Sequence, residues 1–188
     1  MRIFSLLAII FSMTVIFLSC NWSPTVAVQP EPLTVIINEF MASNGSGAIL
    51  DEFNEADDWI ELYNTGKTNV SLKGLYLSDD SAKLDKFALP DTVLSAHSFL
   101  LIWADNQNSQ GKLHASFKIS GTRGETLFLT FGQKNVIDTI RFLPSYLCAD
   151  RSYGRWTDGA LTWSLQVQSS PGKSNLGGGG TCAEEEDD

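Results

Sequence analysis

From Thr34 onward, apolar residues recur at every second position in short runs, the period of a half-buried β-strand. "TVIINEF" (34–40) is β-branched and apolar. In "WIELY" (59–63), Ile60 and Leu62 share one face while Trp59, Glu61 and Tyr63 share the other. That alternation places Ile60 and Leu62 in a core and Glu61 on a wet face beside Trp59. "HSFLLIWA" (97–104) is nearly continuous in apolar residues, as a central strand would be. "ETLFLTF" aligns Leu127, Leu129 and Phe131, and "NVIDTIRF" aligns Val136, Asp138, Ile140 and Phe142. Turn-forming runs separate these segments: "NTGKTN", "SDDS", "NQNSQG", "GTRG", "FGQKN" and "TDG". No long helical period is present, so the pattern predicts an all-β sandwich or barrel. Residues 42–57, "ASNGSGAILDEFNEAD", are too polar and Gly-rich for a core element and read as a long loop.

Composition changes the picture mainly at the ends. The 188 residues carry a formal net charge of −9, which argues against nucleic-acid binding through phosphate contacts. Arg2 precedes "IFSLLAIIFSMTVIFLSC", an uncharged apolar run that reads as an export signal over 1–19. Its end, "FLSC", resembles a bacterial lipobox, in which the signal is cut before the Cys and that Cys receives lipid. Cys20 is therefore the expected lipidation site. A cleaved secretory signal and an uncleaved anchor helix are the alternatives. Asn21, rather than Asp, favours the outer membrane or cell surface over the inner membrane. Residues 20–33 hold three prolines and read as a tether. Residues 176–188 read as a Gly linker and an acidic tail. The folded unit is expected over 34–175. In an oxidising compartment Cys148 and Cys182 either pair or stay as separate thiols, and the sequence leaves both open.

The ordered blocks of the chain resemble a known family. "INEFMASN" (37–44), "DDWIELYNTG" (57–66) and "VSLKGLYLSDD" (70–80) resemble the bacterial lamin tail domain. So do "FALPDTVLSAHSFLLIWAD" (87–105), "LHASFKIS" (113–120), "GETLFLTFGQKNVIDTIRF" (124–142), "SYGRWTDG" (152–159) and "SPGKSN" (170–175). The resemblance implies an immunoglobulin-like β-sandwich. In animals this module ends nuclear intermediate-filament proteins and binds partner proteins; in bacteria it occurs on exported proteins, often beside hydrolase or adhesion modules. No coiled-coil heptads precede it here, so the filament role does not carry over. His97 and Ser98 stand where many members have a Gly pair.

Several residues carry candidate chemistry. Asn38, Glu39, Asp51, Glu52, Asp57 and Asp58, with Asn54 and Glu55 between them, are oxygen donors suited to calcium, which takes about six to eight oxygens. Their spacing is not an EF-hand, and the competing reading is a solvated loop with turn and cap hydrogen bonds. Glu39, Asp57 and Glu61 are the acids a hydrolase would use. On a regular strand Asp57 and Glu61 lie roughly 13 Å apart, too far for a retaining glycosidase pair at about 5–5.5 Å. Asp138 on an apolar strand face calls for a cation, and Arg155 in "SYGRWTDG" is the expected ion-pair partner. Trp59, Glu61, Tyr153 and Trp156 are candidates for a binding face. His97 and His114 lack a Ser and Asp constellation. The sequence thus favours a non-catalytic module that holds a protein or glycan partner at the cell envelope. An envelope hydrolase and a module that self-associates by edge pairing are the alternatives.

Overall fold

The computed structural model describes residues 33–47 and 49–182. The export signal over 1–19, Cys20, nearly all of the 20–33 tether and the acids after Cys182 lie outside the described residues. Among the described residues eleven strands form in chain order: β1 (Val35–Met41), β2 (Trp59–Asn64), β3 (Val70–Ser71), β4 (Leu75–Ser78), β5 (Phe87–Ala88), β6 (Val93–Leu94), β7 (Phe99–Trp103), β8 (Thr126–Phe131), β9 (Asn135–Arg141), β10 (Tyr153–Arg155) and β11 (Trp163–Leu165). A five-stranded sheet runs β11-β10-β1-β2-β7 and a four-stranded sheet runs β5-β4-β8-β9, with a small β3-β6 ribbon. The strand pairings are antiparallel. This is an immunoglobulin-like β-sandwich.

The alternating positions meet between the sheets. Val35, Ile37, Phe40, Ile60, Leu62 and Ile102 from the large sheet pack with Leu75, Leu77, Leu127 and Leu129 from the small one and with Phe142 just after β9. Two β-bulges, each an extra residue on one strand, interrupt the alternation. In β1, Ile37 pairs with Leu62 but Glu39 pairs with Glu61, so Asn38 is the extra residue. Beyond it the parity reverses. Phe40 enters the core, while Glu39 and Met41 turn to the outer face. In β9, Asp138 pairs with Leu129 but Val136 pairs with Thr130, so Ile137 is the extra residue. Ile137 consequently packs on the core and Val136 is exposed, against its expected place on the apolar face. At the β8–β9 turn Gly132 takes φ +62°, which it adopts at no steric cost. His97 has φ +53° in the turn before β7, a conformation that favours Gly.

The outer face of the large sheet is covered, and this corrects the expectation of a wet face. Trp59 and Glu61 are both fully buried. Trp59 packs with Met41 and Trp103 under Ile49 of the 42–58 loop, forming a second apolar cluster. Glu61 is covered by the segment after β11, through Gly172. In β2 alternation correctly separates Ile60 and Leu62 from Trp59 and Glu61. It could not show that both faces are capped.

Candidate functional site

Three groupings of polar and aromatic residues stand out, and they divide the sequence candidates differently from their order in the chain. The first is a buried carboxylate clasp. Glu39 and Glu61 are cross-strand partners on β1 and β2, each 0% exposed. Two carboxylates facing each other would repel, so their hydrogen bonds matter. Ser152 Oγ donates to Glu39 Oε1, Ser170 N–H donates to the same oxygen at 3.1 Å, and Ser170 Oγ donates to Oε2 at 2.8 Å. Gly172 N–H donates to Glu61 Oε2 at 2.6 Å, from a backbone at φ +76° that suits Gly, and Asn38 Nδ2 donates to Oε1 at 3.2 Å. Asn38 Nδ2 and Asn175 N–H both reach Asp158 Oδ1 at 3.0 Å. Asn175 Nδ2 bonds Arg155 O at 2.7 Å. Burial pushes the Glu61 carboxyl up to about 8, against the bonds from Gly172 and Asn38 and with help from the charges of Glu39 and Asp158. Burial likewise raises Glu39, although its Ser152 and Ser170 bonds work the other way. The bulge at Asn38 makes this possible, because it turns Asn38 and Glu39 together towards the covering segment.

The same bulge leaves the Ile37 backbone to be satisfied by side chains. Ile37 N–H donates to Asp138 Oδ2 at 2.8 Å, and Arg155 Nε donates to Ile37 O at 2.8 Å. Arg155 Nη2 closes the triangle on Asp138 Oδ2 at 2.8 Å. Asp138 lies on β9, the edge of the small sheet, so this pair ties the two sheets at their open flank. An inward-pointing charge and a bulge are also the devices by which edge strands avoid pairing with other chains.

The second grouping is an acidic pocket at the entry to β2. Asp51, Glu55 and Asp57 bring one carboxylate oxygen each within 4.8 Å of one another, and carboxylate oxygens of Asp51 and Asp105 and a ring nitrogen of His114 lie within the same distance of one another. Asp51 Oδ1 accepts the N–H groups of Phe53 at 2.8 Å and Glu55 at 2.7 Å, which fixes the turn. The amides of Gln107 and Gln110 both donate to Glu55 Oε2 at 2.9 Å. Buried His114 lies between Asp105, bonded to Nδ1, and Glu52 Oε1, 3.2 Å from Nε2. Burial works to lower the His114 pKa, but its bonds to these two carboxylates outweigh it and hold the imidazole above its ordinary range. Asp57 is raised by burial and then by the charge of Asp105, with Glu55 and Asp51 adding to it.

The calcium set expected from the sequence therefore separates. Asn38 and Glu39 belong to the clasp, where N–H and O–H donors occupy their oxygens. Asp51 and Asp57 belong to the acidic pocket together with Glu55. Glu52 lies at its rim on His114. Asp58 is raised to about 6 by burial, eased by the Asn44 backbone N–H, and joins neither group. The hydrolase trio separates too. Glu39 and Glu61 are sealed in the clasp while Asp57 is in the pocket, because residues 57 and 61 enter and cross the sheet at different places.

The third grouping is an aromatic flank. Tyr146, in the 3-10 turn Pro144–Tyr146, stacks on Tyr153 with ring centroids 5.8 Å apart, and Tyr153 stacks on Trp163 at the same separation. Arg155 lies over the Trp163 ring at 5.1 Å. The inner end of this ladder touches Phe40 in the core. Its outer end is open: Tyr146 is 44% exposed and shares a shallow hollow with Arg141 and Leu143. Trp156 is 50% exposed and stands outside the ladder, against Gly177 and Gly178. A disulfide joins Cys148 to Cys182, with Cα atoms 5.5 Å apart, and pins the end of the covering segment next to the ladder.

Sequence reasoning did not single out Asp105, Gln110, Asp158, Ser170 or Asn175. The signal available was weak: "WAD" and "TDG" place acids at strand ends, where a polar network can be built. The model of the family described as Lamin Tail Domain matches residues 29–143, which span β1 to β9 and the acidic pocket. β10, β11, Tyr146 and the covering segment follow the matched region. No curated protein matches the chain.

Proposed function

The chain belongs to the lamin tail domain family, and on that premise we propose that it is a non-catalytic binding module of the cell envelope, anchored by lipid at Cys20. The family fits a binding module in general terms. The observation that carries the finer reading is the aromatic flank. Three stacked rings run from the core to the surface and end in exposed Tyr146 beside Arg141 and Leu143. Tyr and Arg are enriched among residues that dominate binding energy, and a ring held by stacking loses little side-chain freedom on contact. Leu143 and the guanidinium of Arg141 suit a protein partner better than a sugar ring alone. The Pro-rich tether gives the module reach from the membrane, and the apolar run before Cys20 supports export to the outer membrane or cell surface.

The test is site-specific photo-cross-linking in intact cells, with the reactive group in place of Tyr146 and mass spectrometry of what is captured. One recurrent protein partner supports the reading, provided Tyr146→Ala weakens binding to that purified partner by about thirtyfold, the effect of a hot-spot aromatic. Capture of copies of itself alone, or of glycan alone, overturns it.

A further inference from the structure

We propose that Asp51, Glu55 and Asp57, completed by the amide oxygen of Gln110, form a calcium site that locks the 51–57 loop to the loop after β7. The spacing suits one ion. Calcium–oxygen bonds of about 2.3–2.6 Å put ligands across an ion about 4.6–5.2 Å apart, and the three carboxylates each bring an oxygen within 4.8 Å of the others.

The second observation is independent of that clustering. Six buried side-chain polar atoms among the described residues have no hydrogen-bond partner, and three of them are oxygens here: Asp51 Oδ2, Asp57 Oδ2 and Gln110 Oε1. Asp51 is only 8% exposed. A buried carboxylate oxygen with neither donor nor cation is costly; two of them, with an unpaired amide oxygen on Gln110, whose Nε2 is already bonded to Glu55, point to a positive ligand. Among the described residues no donor reaches any of the three. Gln107 and Gln110 spend their amide hydrogens on Glu55 Oε2. His114 is held between Asp105 and Glu52. Lys118, whose charge eases Asp57, is an exposed residue.

The donor set selects the ion. All four ligands offer oxygen, which favours a hard cation over zinc, and both His114 nitrogens face carboxylates. An irregular loop with carboxylate and amide oxygens suits calcium, whereas magnesium demands near-ideal octahedral geometry. The turn is built in advance, because Asp51 Oδ1 binds two backbone N–H groups and leaves Oδ2 free. Asp105 stands behind the site with its own oxygens on Gln107 N–H and His114.

The experiment is a calcium titration of the full chain, stripped with chelator, by calorimetry and by thermal melting. One ion per chain is expected, with Kd on the order of 0.1–1 mM as in extracellular modules, and a melting midpoint that rises with calcium. Asp57→Asn and Gln110→Ala should each weaken binding by about tenfold or more, while Asp79→Asn, outside the pocket, leaves it within about twofold. Terbium luminescence sensitised by tryptophan should report the same order of affinities. A folded wild type with no saturable heat and no shift of midpoint at about 10 mM calcium would overturn the site. So would calcium binding that survives both variants undiminished, or a response to zinc alone that vanishes in His114→Gln.

Discussion

The clasp around Glu39 and Glu61 and the pocket around Asp51 and Asp57 are both clusters of acids with buried oxygens, yet they are built on opposite terms. In the clasp, each glutamate oxygen accepts from a hydroxyl, an amide or a backbone N–H. In the pocket, Asp51 Oδ2 and Asp57 Oδ2 accept from nothing. The clasp is complete as it stands and holds the covering segment to β1 and β2. The pocket is complete only with a cation. Satisfaction of hydrogen bonds, rather than the number of carboxylates, separates an acidic cluster that is architecture from one that is a binding site.

The largest expected effect breaks the clasp. Glu39→Ala removes the acceptor for Ser152 Oγ, Ser170 Oγ and Ser170 N–H at once, inside a buried site. Stranding several buried donors should destabilise the domain by about 4 kcal/mol. Urea unfolding followed by tryptophan fluorescence measures it. A loss below about 1 kcal/mol would mean that the clasp does not hold the segment.

Next comes the pH dependence of the clasp. Glu61 has its folded pKa raised to about 8 from an ordinary 4.5. The folded state therefore keeps a proton that the unfolded chain gives up. The stabilisation is full below the unfolded pKa, falls as pH rises, and is gone above the folded value. Between about pH 4.5 and 8 this group should remove about 3 kcal/mol, below the limit of about 5 that the whole shift sets at 1.36 kcal/mol per unit, because neighbouring donors relax towards the ion. Glu61→Gln, which mimics the protonated acid and keeps an acceptor for Gly172, should flatten the slope. Unfolding free energies of both proteins at about pH 5 and pH 9 decide it, and equal slopes would show that Glu61 ionises freely.

Much of this frame was legible in the sequence, and the illegible parts share a cause. Ile60, Leu62, Leu127 and Leu129 announce their strands because period 2 is a local property. The oxygen donors of the 51–58 loop announce themselves by density. The bulge at Asn38 leaves no mark in "IINEF", so the sequence groups Glu39 with Asp57 as readily as with Glu61. The burial of Glu61 depends on Gly172, 111 residues away, and the pocket borrows Gln110 and Asp105 from a separate loop. Covers and partners that arrive from far along the chain are what alternation cannot encode. Asp138 and Arg155 were readable as a pair because a charge on an apolar strand face demands a partner wherever that partner lies.

A smaller effect separates the clasp from the pocket by the disulfide. Cys148 and Cys182 close a loop across 34 residues that contains β10, β11 and the covering segment. Chain entropy puts the limit for such a loop near 4 kcal/mol. Fraying of the end of the segment, without global unfolding, lowers the expected loss in Cys148→Ser to about 2 kcal/mol. Hydrogen exchange should rise first at residues 164–178, and protection at 51–57 should stay unchanged. Equal loss of protection in both regions would show that the pocket leans on the clasp.

The smallest effect carries the opposite sign. In chelator, Asp57 faces the charges of Asp51, Glu55 and Asp105 with Oδ2 unpaired. Asp57→Asn removes one charge and supplies two N–H donors where acceptors crowd. The variant should match or exceed the wild type by up to about 1 kcal/mol without calcium, and fall below it when calcium is saturating, because only the wild type then gains from the ion. Thermal melts of the two proteins should therefore cross as calcium is added. The same kind of substitution in the clasp, Glu39→Gln, puts an amide donor against Ser152, Ser170 and its backbone N–H, so it destabilises with or without the ion. Crossing curves for Asp57 and parallel curves for Glu39 would establish that the two clusters differ in kind. Parallel curves for both would reduce the pocket to a second, poorly satisfied clasp.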